Sequence, residues 1–261
     1  MASRELDAEL GRSSLEDRVS LFGRLMEKHR TGRKKFLLHR LIVVGRLSGG
    51  LADRTTVGVH FERLNVSVQR SRPGEEVTGV LLLYPEHALN VIECSTEALL
   101  SVLQDLRHME ENLHSGLILE PRILLVSHDL HSRLFQQWNY KLLSESDGRR
   151  TVVSEDQSSE ELVRETLRQV LRLGRHLFNA AEQMTGSKVI PDEVLKDAAD
   201  VIPPQAAVCR LVQMEALLSP ARYLSTYHSP LHQLLDSGFL IQKLQQMKSY
   251  KIILYNITLT K

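Results

Sequence analysis

EVTGVLLLYPEHALNVIEC, residues Glu76–Cys94, decides how this chain folds. Two short apolar runs, Val80–Leu83 and Leu89–Ile92, flank the turn-forming Tyr84-Pro85-Glu86-His87. That spacing predicts a tight antiparallel hairpin. Thr78-Gly79 opens the first run and Glu93 closes the second. A helical pattern over Thr96–Leu106 follows at once.

Working outward, Phe36–Leu47 reads as a buried strand, with Leu38, Leu41, Ile42, Val43 and Val44 nearly continuous and β-prone. Gly49-Gly50 breaks it. Asp53 or Thr55 then caps a helix whose Val57, Phe61, Leu64 and Val68 recur every three or four residues, and Arg72-Pro73-Gly74 ends that helix. On the other side of the hairpin, Pro121 precedes a strand over Arg122–Ser127. Leu130–Phe135 reads as a single helical turn and Gln137–Leu143 as a last short strand. The order is βαββαββ. It predicts an α+β, ferredoxin-like domain: a four- or five-stranded antiparallel sheet with two helices on one face. Those helices would bury Phe61, Leu64 and Val68, and Leu99, Val102, Leu103 and Leu106.

The flanks read as helical. Ser14–Lys35 carries Leu15, Val19, Phe22 and Met26 on one face and ends in the basic run Lys28–Lys35, read as a solvated helix end. Ser144–Ser159 is polar and linker-like. Beyond it Ser158 or Ser159 caps a helix with Leu162, Leu167, Val170, Leu171, Leu177 and Phe178 along one side. Pro203-Pro204 and Pro220 start two more, the first carrying Val208, Leu211, Val212, Leu217 and Leu218. The expected organisation is an N-terminal helical, basic segment at 1–35, the sheet domain at 36–144, a linker at 145–159 and a helical region at 160–261. That region either packs on the sheet or is presented to a partner. Tyr250–Leu259 is β-prone and nearly uncharged, so it should pair or be covered.

Composition excludes several classes. A net charge of +1 over 261 residues gives no reason for a nucleic-acid or membrane partner. No apolar run approaches the roughly 20 residues of a membrane helix, and the charged N-terminus lacks a signal core. Two distant cysteines, Cys94 and Cys209, suit a reducing compartment. A cytoplasmic protein is expected.

Catalytic signals are weak. Among eleven histidines, His128 and His131 around Asp129 are the closest cluster, but they lack a third ligand or a cysteine pair, so no metal is expected. Ser127-His128-Asp129 has the residue types of a triad, but strand neighbours point to opposite faces. Glycine spacing fits no phosphate loop. Trp138, the only tryptophan, reads as a core residue at the sheet edge. No enzymatic activity and no substrate are expected.

Val77-Thr78-Gly79-Val80-Leu81-Leu82 through Leu89-Asn90-Val91-Ile92-Glu93 resembles the central segment of BLUF domains, the blue-light sensors that use FAD. Asp105, Arg107 and His108 match that family's helix end, and Arg133, Phe135 and Trp138 its last-strand signature, with Tyr140 where Met is usual. The resemblance spans Leu38–Tyr140 and implies a ferredoxin-like fold. It also implies what is missing. The family's photoactive Tyr falls at Val43, its Gln at Asn90, and the Asn that holds the flavin ring at Ser71 or Arg72. Any vestigial pocket would comprise Val43, Asn90, Arg107 and Trp138, with no cofactor expected in it.

Lys34-Lys35-Phe36-Leu37-Leu38, Glu76-Val77-Thr78-Gly79, Arg133-Leu134-Phe135 with Trp138, and Tyr227 with Pro230 and Asp236 resemble the testis-expressed protein 47 family. Residues 239–261 do not match it. The resemblance implies a non-enzymatic protein of male germ cells with a place in the sperm flagellum and its axoneme, docking to protein partners. The alternative is a dark flavin- or nucleotide-binding module, motivated by the retained Trp138, Arg107 and His108.

Overall fold

The computed structural model describes residues 36–144, 157–184, 186–196 and 198–228. The chain divides into two units at Leu37/Leu38, and every named element belongs to the second. The helix expected within 1–35, most of the linker and the β-prone Tyr250–Leu259 lie outside the described residues.

The first seven elements follow in the expected order: β1 (His39–Leu47), α1 (Thr55–Ser71), β2 (Thr78–Leu83), β3 (His87–Cys94), α2 (Thr96–Glu111), β4 (Ile118–Ser127) and β5 (Trp138–Leu142). The sheet order is β4-β1-β3-β2-β5. The first four strands pair antiparallel, which is the ferredoxin-like arrangement. The hairpin closes where Tyr84 N donates to His87 O at 2.8 Å. Asp53 accepts from the Thr55 N–H at the start of α1, and the Ser95 hydroxyl caps α2 by accepting from Ala98 N.

β5 runs parallel to β2, where an all-antiparallel sheet was expected. The reason is the path of the chain. β4 ends beside the start of β1, the end of β3 and the start of β2. The connection 128–137 crosses along that end of the sheet, so β5 must set out in the direction of β2. Leu130–Phe135, expected as a helical turn, is irregular. The Leu134 and Phe135 N–H groups donate to the Glu93 carboxylate and so are not available to a helix. Pro121 lies inside β4, not before it. It sits in the irregular pairing between β4 and the Val44–Arg46 stretch of β1, where a missing N–H is tolerated.

Both sheet faces are covered, so β2 and β3 are buried at every position and read as unbroken apolar runs. On one face Leu41, Val43, Leu81 and Leu83 pack with Val57 and Phe61 of α1 and Leu99, Val102, Leu103 and Leu106 of α2. Leu64 and Val68 are only partly buried. On the other face Ile42, Val44, Val80, Leu82 and Val91 pack with α3 (Ser159–Asn179), α4 (Asp192–Leu195) and α5 (Gln205–Val212). Tyr84, fully buried, donates its hydroxyl to Pro203 O at 2.6 Å. Of the two placements open to the C-terminal helices, they take the one on the sheet.

The same region covers both sheet edges. Tyr140 N donates to Lys188 O and Ile190 N to Tyr140 O, extending β5. Leu218, expected in the α5 helix, lies past its end, and its carbonyl accepts from Ile123 N at the β4 edge. The chain thereby passes from one face to the other, and α6 (Pro220–Tyr227) packs Tyr223 and Leu224 beside α2. Covered edges remove the unpaired backbone groups that would otherwise recruit a foreign strand.

Candidate functional site

Two constellations carry the sequence signature, one at the end of the sheet and one on its α1/α2 face. At the end, Glu93 is wholly buried and faces Arg40. Arg40 donates to it through Nε at 2.8 Å and through Nη2 at 2.5 Å. Thr78 donates its hydroxyl to Glu93 and accepts from Arg133 Nη1 at 3.0 Å. Arg133 also reaches the Glu93 and Glu76 carbonyls. With the Leu134 and Phe135 N–H groups, the carboxylate has a partner for each lone pair, as a buried charge requires. This network ties β1, β2 and β3 to the crossing connection.

On the α1/α2 face one row of cross-strand neighbours spans all five strands: Ile123, Val43, Asn90, Leu81 and Tyr140. Asn90 thus sits mid-sheet with apolar neighbours on both sides, since residues directly opposite share a face. The next row sets Trp138 opposite Gly79. The Tyr140 ring packs against α1, where a Cβ on Gly58 would come within 2.9 Å of it. Val43 and Trp138 are each 3% exposed and Asn90 likewise. Both polar atoms of the Asn90 amide and the Trp138 indole nitrogen are shut off from solvent and lack a hydrogen-bond partner.

The structure brings together three of the four residues expected around a vestigial pocket. Arg107 is the exception. It lies on the outside of α2, about half exposed, 3.6 Å from Glu111, and His108 is exposed beside it. Neither reaches the sheet face. Ser71 and Arg72 are likewise exposed: the Ser71 hydroxyl donates to Ser67 O, and Arg72 faces Glu97. The buried amide of α1 is instead Asn65, also without partners, in the same stripe as Val57 and Phe61. The signal was present in the sequence, because Val57, Phe61 and Asn65 are spaced by four.

His128 pairs with His39 of β1, not with His131. The two Nδ1 atoms are 2.9 Å apart, the rings meet edge to face, and His39 Nε2 lies 2.8 Å from the Thr96 hydroxyl. Among the described residues no group of three metal-binding side chains occurs. Burial, reinforced by the His128 ring and opposed by Asp129, pulls His39 down from 6.5 to about 4. Burial and then His228 lower His128 as well. A depressed histidine favours the fold only while neutral. Stability is therefore full above about pH 6.5 and falls as the pH drops toward 4. Denaturant titration is expected to show a loss of about 2 kcal/mol between pH 7 and pH 5 from His39, flattened in His39→Gln. Burial also pushes the Cys94 thiol up to about 12, which keeps it protonated and unreactive.

Residues 37–229 match the family described as Testis-expressed protein 47. The chain belongs to that family. The match takes in the Glu93 network, both rows of the α1/α2 face and every C-terminal helix through α6. Among solved structures, this Testis-expressed protein 47 family member is similar to BlrB, a BLUF protein in its dark state, at 20% identity. That alignment covers 59% of this chain and 89% of that one with a TM-score of 0.32. It is also similar to the BlrP1 BLUF domain, at 16% identity, with 60% and 98% covered and a TM-score of 0.33. For a bacterial light-regulated adenylyl cyclase the figures are 16%, 62%, 40% and 0.33, so the chain spans well under half of that enzyme. At these scores the fold assignment rests on strand order and pairing. No helix among the described residues is long and apolar enough to cross a membrane.

Proposed function

We propose that this Testis-expressed protein 47 family member is a non-enzymatic structural and interaction protein of male germ cells, a component of the sperm flagellar axoneme. Its BLUF-like domain has lost its photochemistry and serves as a scaffold. The observation that carries this reading is the α1/α2 face. The strand position of the photoactive tyrosine is Val43, which neither donates an electron nor forms a hydrogen bond. Around it Asn90, Leu81 and Tyr140 fill the row, and the Tyr140 ring occupies the ground over Gly58. An isoalloxazine ring does not fit this arrangement. It would need the Tyr140 ring and the α1 helix moved apart, and at Val43 it would find no polar side chain to pair with. The germ-cell setting is supported by family membership.

Two experiments test the reading. The purified full chain should be colourless and release no flavin fluorescence on denaturation; a bound flavin would overturn the loss of photochemistry. A tagged copy expressed in spermatids should localise along the flagellum. Purely nuclear or secreted signal would overturn the axonemal assignment.

A second reading, a dark flavin- or nucleotide-binding module, is favoured by the unpaired amides of Asn65 and Asn90 and the unpaired Trp138 nitrogen. Such groups cost about 1–3 kcal/mol each when buried without partners. One substitution separates the readings. If this face is a sealed core, Asn90→Leu, which keeps the branched shape and removes the orphaned amide, should raise stability by about 1 kcal/mol in thermal or urea unfolding. If the face takes a ring, added FMN or FAD should stabilise the natural chain, and Asn90→Leu should abolish that gain.

A further inference from the structure

We infer that His39, His128 and His228 form an acid-sensitive latch, which when neutral fastens α6 at the end of the sheet and when protonated lets α6 leave α2. The three histidines come from β1, from the connection 128–137 and from the C-terminal end of α6. His39 is buried, whereas His128 and His228 each keep an exposed side through which protons arrive. The central contact sets the chemistry. Two Nδ1 atoms 2.9 Å apart have to share one proton, one ring donating and the other accepting. The neutral pair meets that condition, and His39 Nε2 completes it against the Thr96 hydroxyl at the start of α2. With both rings protonated, two N–H donors and two positive charges would face each other, and the contact cannot survive.

α6 is the element placed to yield. Its eight residues are too few to hold a helix in water on their own, so its place depends on packing and on its two ends. Tyr223 and Leu224 are buried beside α2. At the first end Glu110 of α2 accepts from Ala221 N at 3.3 Å. At the second, the His228 ring lies 6.2 Å from that of Tyr223 and close enough to His128 to act on its charge. The other groups around the cluster do not cancel protons taken up there. Asp129, which follows His128 with a left-handed φ of +52°, raises His39 only in part. Cys94, opposite His39 on β3, stays a neutral thiol. Thr96, Tyr223 and Tyr227 bring uncharged hydroxyls. Glu97 of α2 faces Arg72, and Arg40 and Arg133 are engaged by Glu93. Burial and then His128 lower His39, burial and then His228 lower His128, and burial lowers His228. Neutral rings therefore favour the fastened form: the latch is whole above about pH 6.5 and is lost as the pH falls toward 4.

The test is amide hydrogen exchange of the full chain between pH 7 and pH 5, corrected for the intrinsic pH dependence of exchange. A His39 held at about 4 while α6 is fastened, and at 6.5 once it is free, raises the opening constant of α6 about 20-fold over that range. The rise is read in the peptides that hold Tyr223 and His228, whose N–H groups donate to Ser219 O and Leu224 O. Amides of β2 and β3 should exchange more slowly than those of α6 at every pH, as a local opening requires. His39→Gln with His128→Gln should flatten the acid response. His228→Gln alters an exposed residue, should reduce the response, and serves where the double variant does not fold. An α6 opening constant unchanged by acid would overturn the proposal. So would α6 exchanging in step with β2 and β3 at every pH, or the full natural response in a folded variant.

Discussion

Replacing Glu93 by alanine is expected to destabilise the fold by about 3–5 kcal/mol, a fall of roughly 6–20 °C in Tm, read by calorimetry or circular dichroism. The cause is less the lost attraction than what remains behind. Arg40, nearly buried, keeps a charge with no counterion. Thr78 loses its acceptor, and the Leu134 and Phe135 N–H groups are left unpaired inside the protein. The connection between β4 and β5 is then no longer fastened to the sheet end. Glu93→Gln keeps one acceptor and should lose less than the alanine variant. If both variants melt with the natural protein, the network does not hold the crossing connection.

Gly79→Ala should cost about 3 kcal/mol or more, for a reason of backbone geometry. Gly79 has φ +147°, in territory that L side chains rarely adopt, and a Cβ there would lie 2.0 Å from the Val91 carbonyl oxygen. β2 would have to withdraw from β3 next to its pairing with Ile92. The same residue leaves the space over which Trp138 lies in the neighbouring strand. Gly49→Ala, whose Cβ would meet nothing within 4 Å, is the control and should change stability by no more than about 0.5 kcal/mol. Equal melting of the two variants would refute the geometry of the β2–β3 pair.

These predictions show which parts of the fold were legible in advance. The hairpin, the two face-covering helices and the order βαββαββ are local properties: apolar run length, turn residues and caps report them directly. Thr78-Gly79, Glu93 and Arg133 were legible as a signature. That they form one hydrogen-bonded unit was not, because Thr78 and Arg133 lie 55 positions apart along the chain and converge only when the sheet closes. The helical turn expected at Leu130–Phe135 failed for the same reason. Its local pattern was helical, but a carboxylate from β3 took its N–H groups.

The candidate site divides in the same way. Val43 and Asn90 were expected to lie together, and the pairing of β1 with β3 sets them opposite each other. Arg107 was misplaced on the site because a helix-end signature says nothing about which way the helix is turned. Asn65 stands in the four-residue spacing of Val57 and Phe61, and its burial without a partner is what sets it apart from them. The histidine next to His128 that matters is likewise a distant one, His39, and not the nearby His131.

By itself the sequence determined the sheet-domain elements, their order and the family. Hydrophobic period, turn chemistry and residue identity are all local, so a linear reading reaches them. Only the tertiary structure decided the rest. It ran β5 parallel to β2, folded the C-terminal helices over the second face and both edges, and closed the α1/α2 face over two unpaired amides. Each of those depends on which surfaces meet when apolar area is buried and buried charges find partners. Those conditions are satisfied by the whole chain at once, not by any one stretch of it.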